Sequence, residues 1–203
     1  ARGFDLCGKT IGIVGAGRIG GAVAKRAQAF EMKVLVFDPI LTKLKAEALG
    51  VELVSIDELI ERSDFITIHA PKSEKTNDLI RAEHFAKMKP NCRIVNCARG
   101  GIVNEQDLAN ALRENKIAGA ALDVYTSEPL ESNPFLGLDN IVTTPHLAAS
   151  TDEAQLTVSV DIAKQIVDYL TTGAVVNAVN VPSMDAETAK QYLSFLDGTR
   201  GML

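Results

Sequence analysis

Short apolar runs recur along this sequence with helical stretches between them. Ile11-Gly12-Ile13-Val14, Val34-Leu35-Val36-Phe37 and Phe65-Ile66-Thr67-Ile68 leave almost no polar face. A strand of that kind is buried on both sides, the condition of a parallel sheet. The pattern predicts strands at 10–14, 33–37, 51–54, 65–69, 93–96, 118–124 and 141–143. Helical periodicity fills the gaps at 19–30, 42–49, 81–88 and 105–115, with another helix that Asp57 and Glu58 open. Strand and helix alternating at this spacing make βαβ units, and so a doubly wound α/β fold. A last helix is expected over 151–170, with Ser150 and Glu153 as its capping box. Val158, Ile162, Ile166 and Leu170 form one apolar stripe on it. The region 174–203 falls outside the alternation, so the expected division is a domain at 1–172 and a C-terminal tail at 173–203.

Composition narrows the partners. The 203 residues suit one domain or two, and 46% apolar content is enough to bury a core. Lys and Arg number 21 against 26 Asp and Glu, a net charge of −5 with no basic run, so nucleic acid is not an expected partner. The longest apolar stretches fall well short of the roughly 18 residues that a membrane span requires. Cys7, Cys92 and Cys97 cannot all pair with one another, which suits a reducing compartment, and the expected location is the cytoplasm. Ala1-Arg2-Gly3-Phe4-Asp5 is too polar to be the apolar core of a signal peptide, and with no Met at the start the chain is expected to be part of something longer.

The first strand runs directly into Gly15-Ala16-Gly17-Arg18-Ile19-Gly20, which opens the first helix. In such a turn Gly15 allows the tight bend, Gly17 lets a pyrophosphate approach the backbone, and Gly20 lets helix pack on strand. The helix N-terminus favours the phosphate charge. Asp38 closes the second strand, where a carboxylate accepts hydrogen bonds from an adenine ribose and repels a 2′-phosphate. No Arg follows it directly, which favours NAD over NADP and a Rossmann-type fold.

Ligands of an open parallel sheet sit beyond the carboxyl ends of its strands. The polar residues expected there are His69, Asn96, Cys97, Arg99, Asp123, Glu128 and His146. Arg99, in a glycine-flanked turn, suits a bidentate grip on a carboxylate. His146 suits acid/base work, since imidazole titrates near neutral pH, and Glu128 would orient its ring and favour the charged form. Taken singly, each of the three also reads as an ordinary surface residue. Cys97 is open to oxidation by position but is expected to be a small buried hydrophobe.

Four motifs in order now carry a resemblance. Gly-Lys-Thr-Ile-Gly-Ile-Val-Gly-Ala-Gly-Arg-Ile-Gly, Asn-Cys-Ala-Arg-Gly-Gly-Ile-Val, Ala-Leu-Asp-Val-Tyr-Thr-Ser-Glu-Pro and Pro-His-Leu-Ala-Ala-Ser-Thr lie between Gly8 and Thr151. From about residue 6 to 181 the chain resembles the cofactor-binding domain of the D-isomer-specific 2-hydroxyacid dehydrogenases. The resemblance implies that Arg99 binds the substrate carboxylate and carbonyl oxygen, that His146 takes the hydroxyl proton, and that Glu128 pairs with His146. It implies NAD contacts from Arg18, Ile19 and Asp38. The nicotinamide half would lie near Ala70, Pro71, Cys97, Ala98, Arg99 and Asp123, with His146 and Ala149 beyond. Asn-Cys-Ala-Arg-Gly-Gly and Ala-Ser-Thr-x-Glu-Ala-Gln favour 3-phosphoglycerate over lactate, glyoxylate or formate as substrate. Ala148, Asn104 and Gly21 depart from the usual residues without touching the three catalytic candidates. A homodimer through the cofactor domain is expected. The competing expectation is an NAD-binding dimerisation module of co-repressor type, or a cofactor-domain fragment without turnover. No metal site is expected. The residues that read a phosphate are expected on a substrate domain outside this sequence.

Overall fold

The computed structural model describes residues 3–129, 132–180 and 187–188. They fall into two compact units, 1–148 and 149–203. The first unit holds seven strands, β1 (Thr10–Val14), β2 (Lys33–Phe37), β3 (Glu52–Leu53), β4 (Phe65–Ile68), β5 (Arg93–Asn96), β6 (Gly119–Leu122) and β7 (Ile141–Thr143). Its helices are α1 (Arg18–Ala29), α2 (Lys43–Leu49), α3 (Ile56–Arg62), α4 (Ala82–Phe85) and α5 (Glu105–Arg113). All strand pairs are parallel, in the order β3-β2-β1-β4-β5-β6-β7. This is the doubly wound Rossmann arrangement that the apolar runs predict.

Successive strand residues face opposite sides, and the core divides accordingly. Ile13 joins Val34, Val36, Ala24, Ala27 and Ala46, so α1 and α2 cover one face. Val14 joins Ile66, Ile68, Ile94, Leu59, Phe85 and Leu108, so α3, α4 and α5 cover the other. Burying one side chain such as Ile13 contributes about 1.5–3 kcal/mol. The caps are local. Ser55 and Glu58 form a full capping box on α3, Asn104 caps α5 through the Asp107 N–H, and Gly50 ends α2 in the left-handed region.

The register sets up the site. Val14 pairs with Phe37 and Ile68, Ile68 with Asn96, Asn96 with Leu122, and Leu122 with Thr143. The chain therefore leaves the sheet at one edge through Gly15, Asp38, His69, Cys97, Asp123 and Thr144. The order reverses at β1, whose neighbours β2 and β4 lead away on opposite sides, and a crevice opens there.

Two local expectations, the helix over 81–88 and the cap of the last helix, are corrected. The helix expected over 81–88 is the single turn of α4, after which the chain makes tight turns that still bury Met88. The second unit contains α6 (Asp152–Thr172), which the expected division grouped with the cofactor domain. Its N-cap is Thr151, whose hydroxyl accepts the Ala154 N–H, and not Ser150. An Ala at the third helical position cannot complete a capping box. Val158, Ile162, Ile166 and Leu170 are exposed, and α6 has no buried residue. Among the described residues no helix is long and apolar enough to cross a membrane, and the three cysteines are free.

Candidate active site

At the switch point Gly15 has φ +90°, and a Cβ there would stand 2.9 Å from the backbone of His69 and Ala70. A Cβ on Gly20 would stand 2.0 Å from the Gly15 carbonyl oxygen, so only glycine lets α1 approach the turn. Gly17 faces open space. It is also the N-cap of α1 and provides no side-chain cap, and the first turn has no acidic residue. The orphan N–H groups there thus have no internal anion to satisfy them. Arg18 and Ile19 are exposed beside them.

Asp38 stands across this turn. Its Oδ2 accepts the Ala16 N–H at 2.8 Å, and its Oδ1 accepts those of Ile40 at 2.8 Å and Leu41 at 3.2 Å. These bonds fix the carboxylate, and Oδ2, which accepts a single N–H, keeps lone-pair capacity for a further donor such as a ribose hydroxyl. A cavity of about 550 Å³ is lined by Ala16, Gly17, Asp38, Ile40, Leu41, Lys45, Ala48 and Leu49. Largely apolar walls with one carboxylate and the Lys45 ammonium, next to bare helix N–H groups, fit the adenosine and pyrophosphate of a dinucleotide.

Further along the edge, Asn96 is buried and shapes the next loop. Its Nδ2 donates to the Arg99 carbonyl at 2.9 Å, and its Oδ1 accepts the Ala98 N–H at 3.0 Å. Arg99 is exposed and folds Nη1 onto the Ala98 carbonyl at 2.6 Å. Cys97 is exposed and not the buried hydrophobe expected, because it lies where the chain has left β5. Desolvation and the nearby Asp123 carboxylate push its thiol up, which keeps it protonated. Ala70 is buried and Pro71 exposed at the end of β4. His69 is half-buried with Nε2 3.1 Å from Thr67 Oγ1, and burial pushes its imidazole down.

His146 Nδ1 stands 2.7 Å from Glu128 Oε2, and Glu128 Oε1 accepts the Tyr125 N–H at 2.9 Å. Both bonds hold the Glu128 carboxyl below the usual carboxylate range, the His146 contact contributing most. His146 has φ +56°, an uncommon conformation for a non-glycine residue. The buried Asp123 holds the loop in that shape. Its Oδ1 accepts the Leu147 N–H at 2.7 Å and the Thr144 hydroxyl at 2.5 Å, and its Oδ2 accepts the Ala148 N–H at 2.8 Å. Burial alone would raise the Asp123 carboxyl, but these three bonds outweigh it and hold it low.

Arg99, Glu128 and His146 line one cavity of about 260 Å³ with Lys72, Gly100, Val124, Tyr125 and Thr126. An adjoining cavity of about 410 Å³ runs along Tyr125, Glu128, Pro129, Thr143, Thr144, Pro145 and His146. The structure thus brings the three catalytic candidates to one opening. Ala149 belongs to the second unit.

Several supporting residues went unforeseen. Tyr125 holds the Leu122 and Thr144 carbonyls through its hydroxyl, and Glu105 accepts both the N–H and the hydroxyl of Thr126. Lys72 reaches the cleft from the end of β4. Lys72, Tyr125 and Thr126 each follow a predicted strand by a few residues, and that position was the available signal.

Residues 1–148 match the model of the D-isomer specific 2-hydroxyacid dehydrogenase, NAD binding domain. The D-3-phosphoglycerate dehydrogenase of Archaeoglobus fulgidus is 50% identical over 195 residues, covering 96% of this chain and 37% of that protein. That of Methanocaldococcus jannaschii is 49% identical over 187 residues, covering 92% and 36%. The chain thus spans little more than a third of the length of these relatives. A glyoxylate reductase structure from Paecilomyes thermophila superposes with a TM-score of 0.80 at 33% identity, covering 89% of this chain and 55% of that one. The chain belongs to the D-isomer specific 2-hydroxyacid dehydrogenases, as the NAD-binding domain of that family.

Proposed function

We propose that the protein is an NAD-dependent dehydrogenase of a D-2-hydroxyacid, with 3-phosphoglycerate as substrate and 3-phosphohydroxypyruvate as product, an entry step to serine synthesis. The observation that carries this reading is the His146–Glu128 pair at 2.7 Å, opening on the same cavity as Arg99. Bound along the Gly15–Gly20 turn with its ribose at Asp38, NAD supplies the hydride acceptor. Arg99 turns its guanidinium to the substrate carboxylate and fixes the carbon that loses hydride. With Nδ1 engaged by Glu128, His146 has Nε2 free to accept the hydroxyl proton. Glu128 then stabilises the imidazolium, and Asp123 keeps the His146 loop in place. One hydroxyl proton and one hydride leave the substrate, and a carbonyl forms.

The relatives named above support 3-phosphoglycerate as the acid. Two copies joining through the cofactor domain are the proposed assembly, and sedimentation at several concentrations checks it. The cytoplasm is the proposed location. The function is tested by mixing the full chain with NAD and 3-phosphoglycerate and following NADH absorbance. A rise that His146→Ala abolishes supports the reading, and a rise that survives His146→Ala overturns the mechanism. No rise leaves an NAD-binding module instead.

A further inference from the structure

The cleft carries one cation more than a simple 2-hydroxyacid needs. Arg99 suffices for the carboxylate of such an acid, yet Lys72 lines the same cavity of about 260 Å³. Gly101, at φ +76°, leaves the room for it, since a Cβ there would stand 3.0 Å from Lys72 Nζ and 3.5 Å from Thr126 Oγ1. Gly100 is pressed more closely still, since a Cβ there would stand 1.8 Å from the Tyr125 carbonyl oxygen. The glycine pair therefore packs the Arg99 loop against Tyr125 and Thr126 and keeps the ammonium at the cavity wall.

Neighbouring acids do not neutralise it. Glu128 is engaged by His146 and the Tyr125 N–H, and Glu105 by the N–H and hydroxyl of Thr126. Among the described residues Lys72 makes no ion pair. A point charge on a flexible stem, with three donors and no protein acceptor, suits a phosphate monoester.

We propose that Lys72 is a specificity-determining residue that binds a phosphate at the far end of the substrate, while Arg99 holds its carboxylate. This rests on the dehydrogenase reading above and deepens it. It places one phosphate-reading group on the cofactor domain itself, where sequence reasoning expected none. The contact is open to solvent, so the preference it creates weakens as salt rises.

The test compares kcat/KM for 3-phosphoglycerate and for D-glycerate, which lacks the phosphate, in the full chain with NAD. Lys72→Met is expected to cut the preference for the phosphorylated acid by about tenfold or more, the size of one charge-assisted contact. The loss appears in KM rather than in kcat, and Lys72→Arg restores most of it. A preference that survives Lys72→Met overturns the assignment, as does a loss carried by kcat. NAD affinity, measured by calorimetry on the same variants, separates the other source of phosphate. A tenfold loss there assigns the ammonium to the cofactor pyrophosphate and also overturns the proposal. Failure of the underlying reading looks different, because wild-type protein then turns over neither acid and the assignment falls with it.

Discussion

His146 combines an uncommon backbone conformation with a close contact to the Glu128 carboxylate, and each feature depends on a separate acid. Glu128 holds the ring while Asp123 holds the loop. Removing the imidazole by His146→Ala is expected to lower kcat about 10²- to 10⁴-fold, the usual contribution of a positioned acid/base. Glu128→Gln keeps the shape but removes the charge that steadies the imidazolium, so steady-state kinetics should show a smaller fall in kcat. The Glu128 carboxyl is held below its ordinary value by the His146 contact. The pair therefore contributes fully above the ordinary carboxylate range and is lost only as pH falls through the lowered value. A pH–rate profile of Glu128→Gln that matches wild type on its acid limb would contradict this role. Asp123→Asn keeps one acceptor oxygen but sets an amide NH₂ against either the Ala148 N–H or the Leu147 N–H and Thr144 hydroxyl, which now donate to it. It is expected to cost about 1–3 kcal/mol in a denaturant melt. Because the same loop presents His146, kcat should fall together with stability.

At the scale of elements, the β1–turn–α1 unit bears the tightest constraint. A Cβ on Gly20 meets a backbone oxygen at 2.0 Å, and no side chain can move aside to relieve it. Gly20→Ala is expected to destabilise the fold by about 1–3 kcal/mol and to weaken NAD at least tenfold, read by thermal melting and calorimetry. Unaltered NAD affinity in a stable Gly20→Ala protein would remove the turn from the binding site. This unit was legible in the sequence because every part of it is local: an apolar run, three glycines and the residue types that follow. The parallel, doubly wound sheet followed from the same runs, since strands buried on both faces are the mark of a parallel sheet. The long-range contacts were less legible. Asp123 was placed near the nicotinamide, but its grip on the Leu147 and Ala148 N–H groups depends on β6 lying beside β7. Lys72 and Thr126 line one cavity because β4 and β6 flank β5, whose following loop carries Gly101 close to both. The start of α6 was misread by one residue, because Ser150 and Thr151 are both good caps and only the backbone turn chooses Thr151.

For the whole molecule, cofactor binding and stability are linked. A ligand that binds only the folded state at a hundred times its Kd adds about 2.7 kcal/mol. For a chain of this size that raises Tm by roughly 5–10 °C. Saturating NAD should produce such a shift, and Asp38→Ala should lose most of it, because the carboxylate set across the glycine turn is then missing. An equal shift in Asp38→Ala would sink the ribose assignment. In the proposed function the labour divides along one sheet edge, with the dinucleotide at the β1 crevice and the substrate and acid/base groups in the cavity at the ends of β5, β6 and β7. Central to the proposed mechanism is that hydride leaves the hydroxyl-bearing carbon while His146 takes the proton. The most direct measurement uses 3-phosphoglycerate carrying deuterium at that carbon, with mass analysis of the NADH formed by the full chain. The account predicts NADH carrying one deuterium, with a slowed turnover wherever chemistry limits the rate. Unlabelled NADH would contradict it.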